Sequence, residues 1–321
     1  AKVREGLASW RAAGIGPRFV VLDDGWQPTL PARTGEERLT DFDANDKFPD
    51  GIGGTVRMAK NEFGVERFLV WHAMQGYWGG VDLPEYRPSY RKRVASPGVL
   101  HHEPGFEGWF GGGANLVPPR EVYRFFHDYH RHLAAEGVDG VKVDNQAALE
   151  LYGEGHGGRV ALMRAYREAL EGSAAVHFGG ELINCMSCSN EMLYGARASN
   201  LTRTSTDFWP DKPETHGLHL AVNAFVGAWF GRFVHPDWDM FQSGHPMGAF
   251  HAAGRAVSGG PVYCSDKPGT HDVPLLKGLV LEDGSIYRSR TPGVPLAGLL
   301  FDDALGGDPL LRVGTTNDVT G

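Results

Sequence analysis

Cysteine is scarce in this sequence, with only Cys185, Cys188 and Cys264 among 321 residues. An odd, low cysteine count argues against a disulfide framework and favours a reducing compartment, so we expect a cytoplasmic protein. Cys185 and Cys188 form a C-x-x-C pair, but the second half of a zinc site is missing from the sequence. We therefore interpret this pair as structural or as part of a pocket wall.

The sequence also has no excess of basic over acidic residues. Lys and Arg number 31 against 39 Asp and Glu, and the net charge of -8 gives no electrostatic footprint for nucleic acid or an anionic membrane. No apolar run approaches the roughly 20 residues of a membrane span. The first residues, AKVREGLASW, do not resemble a signal peptide. With 41% hydrophobic and 22% charged residues, the composition is that of a globular protein with a sizeable core.

What the sequence does contain is an alternation of short apolar, β-rich runs with segments of helical period. The predicted strands are 18–24, 67–73, 140–144, 182–187, 201–207, 232–239 and 261–266. The predicted helices are 2–13, 120–136, 159–171, 215–230, 245–258 and 272–281. Apolar stripes at helical spacing are Val122, Phe125, Phe126, Tyr129 and Leu133 in one helix, and Leu218, Val222, Phe225 and Trp229 in another. This alternation predicts a parallel sheet, either doubly wound or closed into a barrel.

Polar residues at the ends of the predicted strands distinguish these two sheet types. The strands end in Asp, His or Trp, at Asp23, Asp24, Trp71, His72, Asp144, Asp207, Asp237, Asp239 and Asp266. A (β/α)8 barrel gathers the carboxyl ends of all its strands on the face that holds the active site, whereas a doubly wound sheet concentrates such residues near one switch point. We therefore predict an α/β protein of the (β/α)8 TIM-barrel type, with the catalytic barrel domain over residues 1–284.

The strand count predicts an incomplete barrel. Seven strands can be counted and a barrel needs eight, so we expect the first strand to be missing from this domain. Residues 285–321 are rich in Pro and Gly and end on LLRVGTTNDVTG. We interpret them as a linker and the start of a truncated C-terminal β domain.

The stretch GVDGVKVDNQ, residues 137–146, places Lys142 and Asp144 in an otherwise apolar run. A buried carboxylate needs an arrangement that stabilises it. We interpret Asp144 as the nucleophile of glycosidic bond cleavage. Lys142 lies on the same strand face, where its charge would keep the carboxylate ionised and could bind a sugar hydroxyl. A purely structural Lys–Asp pair is the alternative.

A second carboxylate is needed for such cleavage, and a separation of roughly 5–5.5 Å between the two gives retention of configuration. Asp207 lies in RTSTDFWP, four residues after Arg203 and beside Phe208 and Trp209. Aromatic neighbours can raise the pKa of a loop carboxyl by desolvation, as an acid/base catalyst requires. The alternative is a helix N-cap, a common role of an Asp after a strand.

Aromatic residues support carbohydrate binding. Tryptophans at or just after strand ends are Trp26, Trp71, Trp78, Trp209 and Trp238. An indole ring suits the C–H face of a pyranose, although some of these rings could instead cap the barrel core. Asp23 and Asp24 would be costly like charges in a core, but they are apt acceptors for the vicinal hydroxyls of a sugar.

A metal site is the competing interpretation of the last polar cluster. His235, Asp237 and Asp239 alternate on one strand face, and further histidines follow at 245, 251 and 271. Such His and Asp residues serve equally well as partners of sugar hydroxyls, and no helical H-E-x-x-H pair is present. We therefore predict neither a metal nor another cofactor, and we count Asp239 among the substrate-binding residues.

As a set, the motifs resemble the raffinose synthase and alkaline α-galactosidase (seed imbibition protein) family, glycoside hydrolase family 36. The motifs that carry the resemblance are VLDDGWQ (21–27), VWHAMQGYWGG (70–80), GVDGVKVDNQ (137–146), INCMS (183–187), RTSTDFWP (203–210), HPDWDMFQSGHP (235–246) and GPVYCSDKPGTH (260–271). They follow the order of that family over nearly the whole chain. Family members also carry N-terminal and C-terminal β domains.

The resemblance implies a (β/α)8 barrel that cleaves α-galactosides by double displacement. It implies that Asp144 is the nucleophile and Asp207 the acid/base. The implied substrate-binding residues are Asp23 and Asp24 for the 4- and 6-hydroxyls of galactose, Lys142 for ring hydroxyls, Arg203 near the 2-hydroxyl, and Cys185 and Trp71 as lining. To these we add Trp26 and Trp209, from their position at strand ends.

Three functions follow as hypotheses. The first is a retaining enzyme that either hydrolyses terminal α-galactosyl residues or transfers galactose from galactinol to sucrose, by way of a galactosyl-aspartate. The expected partners are raffinose-family oligosaccharides, galactinol and sucrose, with no nucleic acid or membrane. The second is a non-catalytic carbohydrate-binding remnant of such an enzyme, and the third is a metal-dependent barrel hydrolase.

Overall fold

The computed structural model describes residues 2–31, 36–93, 112–154, 157–286, 288–303, 306–307 and 310–317. The helices are α1 (Lys2–Ala12), α2 (Gly51–Phe63), α3 (Pro119–Ala135), α4 (Arg159–Phe178), α5 (Asn190–Tyr194), α6 (Thr215–Phe230), α7 (Gly248–Ser258) and α8 (Val273–Lys277). The strands are β1 (Phe19–Leu22), β2 (Thr29–Pro31), β3 (Glu37–Leu39), β4 (Arg67–Ala73), β5 (Ser89–Lys92), β6 (Gly113–Leu116), β7 (Gly140–Asp144), β8 (Leu182–Asn184), β9 (Leu201–Arg203), β10 (His235–Asp237), β11 (Val294–Pro295) and β12 (Val313–Gly314). Short 3-10 helices span Pro84–Tyr86, Ala147–Tyr152 and Ala297–Leu299.

The chain forms two compact units, and the first consists of Arg18–Ser199. Its centre is a parallel sheet in the order β1–β4–β7–β8. Strand β7 is buried along its whole length and β4 after its first residue, as expected for parallel strands covered on both faces. Helices α3 and α4 pack against each other, and the apolar stripe predicted in α3 is buried. Helix α4 also contacts β7, and helix α2 contacts β4, so helices pack against the sheet.

The second unit consists of Ala1–Pro17 and Asn200–Gly321. Strands β9 and β10 pair in parallel, with His235 opposite Leu201 and Asp237 opposite Arg203. Its core includes Phe241, Ala252 and Leu276. Helix α1 belongs to this unit because Trp10 packs against that cluster.

Helix α6 corrects one sequence prediction. Its bounds, Thr215–Phe230, match the predicted segment, but the apolar stripe is not the buried face: Leu218 is 44% and Trp229 50% exposed, and Val222 and Phe225 are half-buried. The buried residues of α6 are His216, His219, Ala221, Asn223, Ala224, Gly227 and Phe230. The helix is apolar on more than one side, and the histidines take the inner side because they find hydrogen-bond partners there.

The predicted strands 67–73 and 140–144 are confirmed to the residue, whereas four others end earlier than predicted. The residues beyond those ends leave the extended conformation: Met186 and Asp239, for example, have positive φ angles of 42° and 68°. The predicted strand 261–266 is reduced to a parallel bridge between Phe241 and Cys264.

The domain boundary at residue 284 stays a prediction. Beyond it the structure describes the short antiparallel pair β11–β12, and parts of the predicted segment, such as 318–321, lie outside the described residues. Within the described part of the chain, no helix is both long and apolar enough to cross a bilayer.

Candidate active site

Asp144 ends strand β7, where the sequence predicted a catalytic carboxylate. The register of β4 and β7 places Ala73 opposite Asp144 and Trp71 opposite Lys142. The Asp144 carboxylate is nearly buried and accepts two hydrogen bonds, from the Trp71 indole Nε1–H at 3.1 Å and from the Asn145 backbone N–H at 2.6 Å. Asn145 makes its bond from a left-handed conformation, φ 58°, which Asn tolerates better than most residues. Two neutral donors therefore fix the orientation of the Asp144 carboxylate.

Lys142 forms its ion pair with Asp23, across the β1–β4–β7 sheet. Lys142 Nζ lies 2.6 Å from Asp23 Oδ2. The Lys142 side chain is 8% exposed and that of Asp23 is 48% exposed, so the pair reaches from the interior to the surface. The sequence predicted that Lys142 acts on Asp144, and the structure adds Asp23 as its partner. We call Asp23, Asp24, Trp71, Lys142 and Asp144 the Asp144 cluster.

Asp24 is held by two aromatic donors. Its carboxylate accepts hydrogen bonds from the Tyr77 hydroxyl at 2.7 Å and from the Trp78 indole N–H at 2.9 Å. Burial and the neighbouring Asp24 raise the pKa of Tyr77, so this hydroxyl stays protonated and donates. Both rings also contact Trp71, with ring centroids 5.7 and 5.3 Å away. Tyr77 was not among the predicted site residues, although the aromatic pair after strand β4 in HAMQGYWGG was a usable signal.

Trp26 and Cys185, predicted to contact the sugar, lie inside the unit. Trp26 is fully buried, and its indole N–H donates to the Trp71 carbonyl oxygen at 2.8 Å. Cys185 is 1% exposed, and its backbone N–H donates to the Val143 carbonyl oxygen, which continues the β7–β8 pairing. Neither side chain therefore offers appreciable surface to a sugar in this structure. None of the three cysteines is in a disulfide.

A buried ion pair that the sequence analysis did not identify lies beside the ends of β7 and β8. Arg167 and Glu171 form a 2.7 Å pair on α4, with both side chains less than 5% exposed. Arg167 also donates to Asn184 Oδ1 at 2.6 Å and to Gln146 Oε1 at 3.2 Å. Burial alone would raise the pKa of Glu171, but Arg167 and the hydrogen bonds around Ser199 lower it overall. The pair thus fixes the segment that follows Asp144.

The second unit carries a separate group of charges around Arg203, which we call the Asp207 cluster: Arg203, Asp207, Asp237 and Asp239. The buried guanidinium lies 3.0 Å from Asp207, 3.5 Å from Asp237 and 2.5 Å from Asp239. Asp237 also accepts from the Tyr263 hydroxyl at 2.8 Å. The Asp207 side chain is 57% exposed, whereas Asp237 and Asp239 are buried. Of the three carboxylates, Asp207 is therefore the one open to a substrate.

Trp209, two residues after Asp207, is 41% exposed. Lys212 Nζ lies 4.5 Å from the centre of its ring, a cation–π contact that orders the indole. An exposed, ordered indole fits the predicted sugar contact.

Histidines form a layer beneath Phe208. His216 Nδ1 lies 2.7 Å from His251 Nε2, and the Arg255 guanidinium lies 2.7 Å from His251 Nδ1. Burial and the charge of Arg255 lower the pKa of His251 to about 3 and that of His219 to about 4. These rings are therefore neutral packing groups at physiological pH.

In the part of the chain that the structure describes, no group of three or more His, Cys, Asp or Glu side chains could hold a metal ion. The alternative of a metal site therefore has no supporting cluster there. The carboxylates of Asp237 and Asp239 are occupied by Tyr263 and Arg203.

The whole chain matches the model of one sequence family. The model of the family described as "Raffinose synthase or seed imbibition protein Sip1" matches residues 1–321. A probable galactinol–sucrose galactosyltransferase of Arabidopsis thaliana is 41% identical over 352 residues, covering 99% of this chain and 47% of the relative. A galactinol–sucrose galactosyltransferase of Pisum sativum is 39% identical, covering 99% and 46%. The chain thus spans about half the length of these curated relatives.

Solved structures confirm the fold. An α-galactosidase from Thermus thermophilus, in complex with stachyose, aligns with a TM-score of 0.53 and 20% identity, covering 85% of this chain and 59% of that one. A family 27 β-L-arabinopyranosidase from Geobacillus stearothermophilus aligns with a TM-score of 0.57 and 13% identity, covering 92% and 74%. The predicted (β/α)8 class is confirmed by this likeness.

Proposed function

We propose, given that this chain belongs to the raffinose synthase and seed imbibition protein family, that it forms the catalytic part of a retaining enzyme acting on α-galactosides. The observation that carries this proposal is the Asp144 cluster. A nearly buried carboxylate with two neutral donors lies beside the Lys142–Asp23 pair and a wall of aromatic rings. Carboxylates and indoles in this arrangement suit the hydroxyls and C–H face of a galactosyl ring.

The reaction is a double displacement. An Asp144 oxygen attacks the anomeric carbon of the galactosyl group, and the bond to the leaving oxygen breaks while Asp207 donates its proton to that oxygen. Asp207, now a carboxylate, then takes the proton from the incoming hydroxyl, whose oxygen displaces Asp144. Two inversions give overall retention.

The remaining predicted residues take binding roles in this proposal. Asp23 and Asp24 accept hydrogen bonds from sugar hydroxyls, and Lys142 and Arg203 donate hydrogen bonds to sugar hydroxyls. Contacts within the protein already hold these side chains: Lys142 pairs with Asp23, Tyr77 donates to Asp24, and Arg203 pairs with Asp207. Trp71 orients the Asp144 carboxylate through its indole N–H. In this proposal Trp209, which is exposed and two residues from Asp207, contacts the leaving group or the acceptor.

Transfer from galactinol to sucrose is the reaction we favour, because both relatives compared above have names that state it. Hydrolysis is the second candidate, because the Thermus thermophilus α-galactosidase shares the fold. The full-length protein should be incubated with galactinol, with and without sucrose, and the products separated. Raffinose formed only with sucrose supports transfer, and free galactose at equal rates in both reactions supports hydrolysis.

Azide rescue tests the two catalytic roles in the full-length protein. Asp144→Ala cannot form the covalent intermediate, so azide should restore turnover with inversion and give a β-galactosyl azide. Asp207→Ala keeps the nucleophile, so azide should give the retained α-product. Loss of general acid help should cost roughly 10²–10⁴-fold on natural sugars. Swapped stereochemistry would reverse the roles, and near-normal activity of Asp144→Ala would refute the mechanism.

The proposal includes a cytoplasmic location. The low cysteine count, with no disulfide formed, supports a reducing compartment.

A further inference from the structure

Phe208 is an anchor between two functional neighbours. Asp207 before it and Trp209 after it are exposed, whereas Phe208 itself is 3% exposed. Its backbone N–H donates to Asp239 Oδ2 at 2.7 Å, and its ring meets the edge of His251 with centroids 4.7 Å apart. The backbone and the ring of Phe208 are thus both fixed. Because Asp207 directly precedes Phe208, this also fixes the backbone position from which the Asp207 side chain extends.

Asp239 is the centre of that anchor. Its Oδ2 accepts the Phe208 N–H, and its Oδ1 accepts the Met240 N–H at 2.7 Å and forms an ion pair with Arg203 at 2.5 Å. Asp239 is 1% exposed and has a φ angle of 68°, a left-handed conformation that Asp and Asn tolerate. Arg255 holds this bend from below, because its guanidinium donates to the carbonyl oxygens of Asp239 and Met240 at 3.0 and 2.8 Å.

Arg203 links the same carboxylate to Asp207. One guanidinium nitrogen lies 2.5 Å from Asp239, and another donates to Asp207 Oδ1 at 3.0 Å. Asp239 therefore acts on Asp207 twice, through the backbone at Phe208 and through the side chain of Arg203. Because Phe208, Met240 and Arg203 already contact this buried carboxylate, little of its surface is left for a sugar hydroxyl.

We propose that Asp239 is a positioning residue that holds Asp207 in place for proton transfer, rather than a ligand of the sugar. The inference rests on the acid/base role of Asp207 under the proposed function. A general acid must lie within hydrogen-bond reach of the leaving oxygen. Misplacement by about 1 Å can cost on the order of 10²-fold in rate. The network around Asp239 supplies this placement.

Asp239→Asn in the full-length protein tests the proposal. Asn keeps the size and the left-handed conformation but has no charge and only one acceptor oxygen, so it cannot keep both the ion pair with Arg203 and the hydrogen bond from Phe208. We expect kcat/KM for raffinose to fall about 10²-fold, because its leaving group needs a proton. For 4-nitrophenyl α-galactoside, whose leaving group needs little protonation, we expect a loss of about 3-fold or less. The basic limb of the raffinose pH profile should flatten as well.

Asp237→Asn is the matched control, because it removes a charge beside Arg203 while Asn keeps an oxygen that can accept the Asp239 N–H and leaves the bond from Phe208 to Asp239 in place. Whatever its size, the loss of kcat/KM in Asp237→Asn should be equal for raffinose and 4-nitrophenyl α-galactoside. A sugar ligand at position 239 would likewise reduce activity on both, because they share the galactosyl group. Equal losses in Asp239→Asn, or no loss, would overturn the proposal.

Asp207→Asn separates this inference from the function beneath it. If Asp207→Asn shows the leaving-group dependence and Asp239→Asn does not, the positioning role is wrong while the acid/base role stands. If Asp207→Asn lacks that dependence, the acid/base role itself is wrong. Should Asp239→Asn not fold, Phe208→Leu replaces it. This variant loosens the ring contact to His251 and should show the same dependence to a smaller degree, and equal losses on both substrates would again overturn the proposal.

Discussion

Acidification should destabilise the first unit through His72, a fully buried histidine on strand β4. Its Nδ1 lies 2.8 Å from the Ala73 carbonyl oxygen, which only accepts, so Nδ1 carries the proton. Its Nε2, 3.1 Å from His130 Nε2, must then accept from that ring. Among the residues that the structure describes, the buried Nδ1 of His130 has no hydrogen-bond partner. A second proton on His72 would set two N–H groups face to face away from water, and burial lowers the pKa of His72 to about 4.

The magnitude follows from linkage. The unfolded chain has a histidine pKa of about 6.5. The folded value is lower, so the stability that His72 contributes is complete above pH 6.5 and is lost as pH falls towards 4. At pH 5 the unfolded histidine is almost fully protonated and the folded one almost neutral, a difference of about 2 kcal/mol in the free energy of unfolding. Burial and the neighbouring His72 and His177 also lower the pKa of His130, so its contribution has the same sign.

Urea denaturation at pH 7 and pH 5, at constant ionic strength, measures this loss. His72→Gln removes the titrating ring, so the variant should be less stable at pH 7 but should lose about 2 kcal/mol less than the wild type on acidification. Leu133→Ala is the control. This substitution shortens a buried side chain on α3, the helix that carries His130. It should lower the free energy of unfolding by about 2–5 kcal/mol, equally at both pH values. An unchanged pH dependence in His72→Gln would refute the argument.

Two further substitutions test single contacts. Trp71→Phe keeps a ring but removes the donor that orients the Asp144 carboxylate, and misplacement of the nucleophile by about 1 Å predicts a loss on the order of 10²-fold in kcat/KM; an unchanged value would show that this bond does not act in catalysis. Glu171→Gln leaves the buried Arg167 charge without its counterion and should lower the free energy of unfolding by about 3–5 kcal/mol in urea denaturation. A loss below about 1 kcal/mol would contradict this account of the pair.

The sequence predicts strands best where both faces are buried. The segments 67–73 and 140–144 are nearly all apolar, and the structure confirms their bounds. Strands β8, β9 and β10 are three residues long each, because the polar residues that follow them turn away to make local bonds, such as Asp239 N–H to Asp237 Oδ1 at 2.9 Å. Apolar content sets where a strand runs, but side-chain hydrogen bonds decide where it ends.

Helix α6 shows why an apolar stripe can mislead. Leu218 and Trp229 recur at helical spacing, yet they lie outside while His216, His219 and Asn223 lie inside. Asn223 accepts from Thr204 Oγ1 at 2.6 Å, and His219 Nε2 lies 3.2 Å from the Arg255 guanidinium. Those partners belong to distant segments of the chain, so no local pattern around α6 reveals that its polar face is the buried one.

The strand-end carboxylates were predictable as a group, but their partners were not. Same-face spacing on β7 predicted that Lys142 serves Asp144, whereas the register of three strands gives its ion pair to Asp23 at 2.6 Å. This difference bears on the chemistry. A carboxylate paired with a full positive charge is a weaker nucleophile than one held by neutral N–H donors, because the charge stabilises the electrons that must attack. Asp23 carries the former arrangement and Asp144 the latter, from Trp71 and Asn145. The donors around each carboxylate therefore support the division of roles proposed above, with Asp144 as the attacking group and Asp23 as a fixed acceptor.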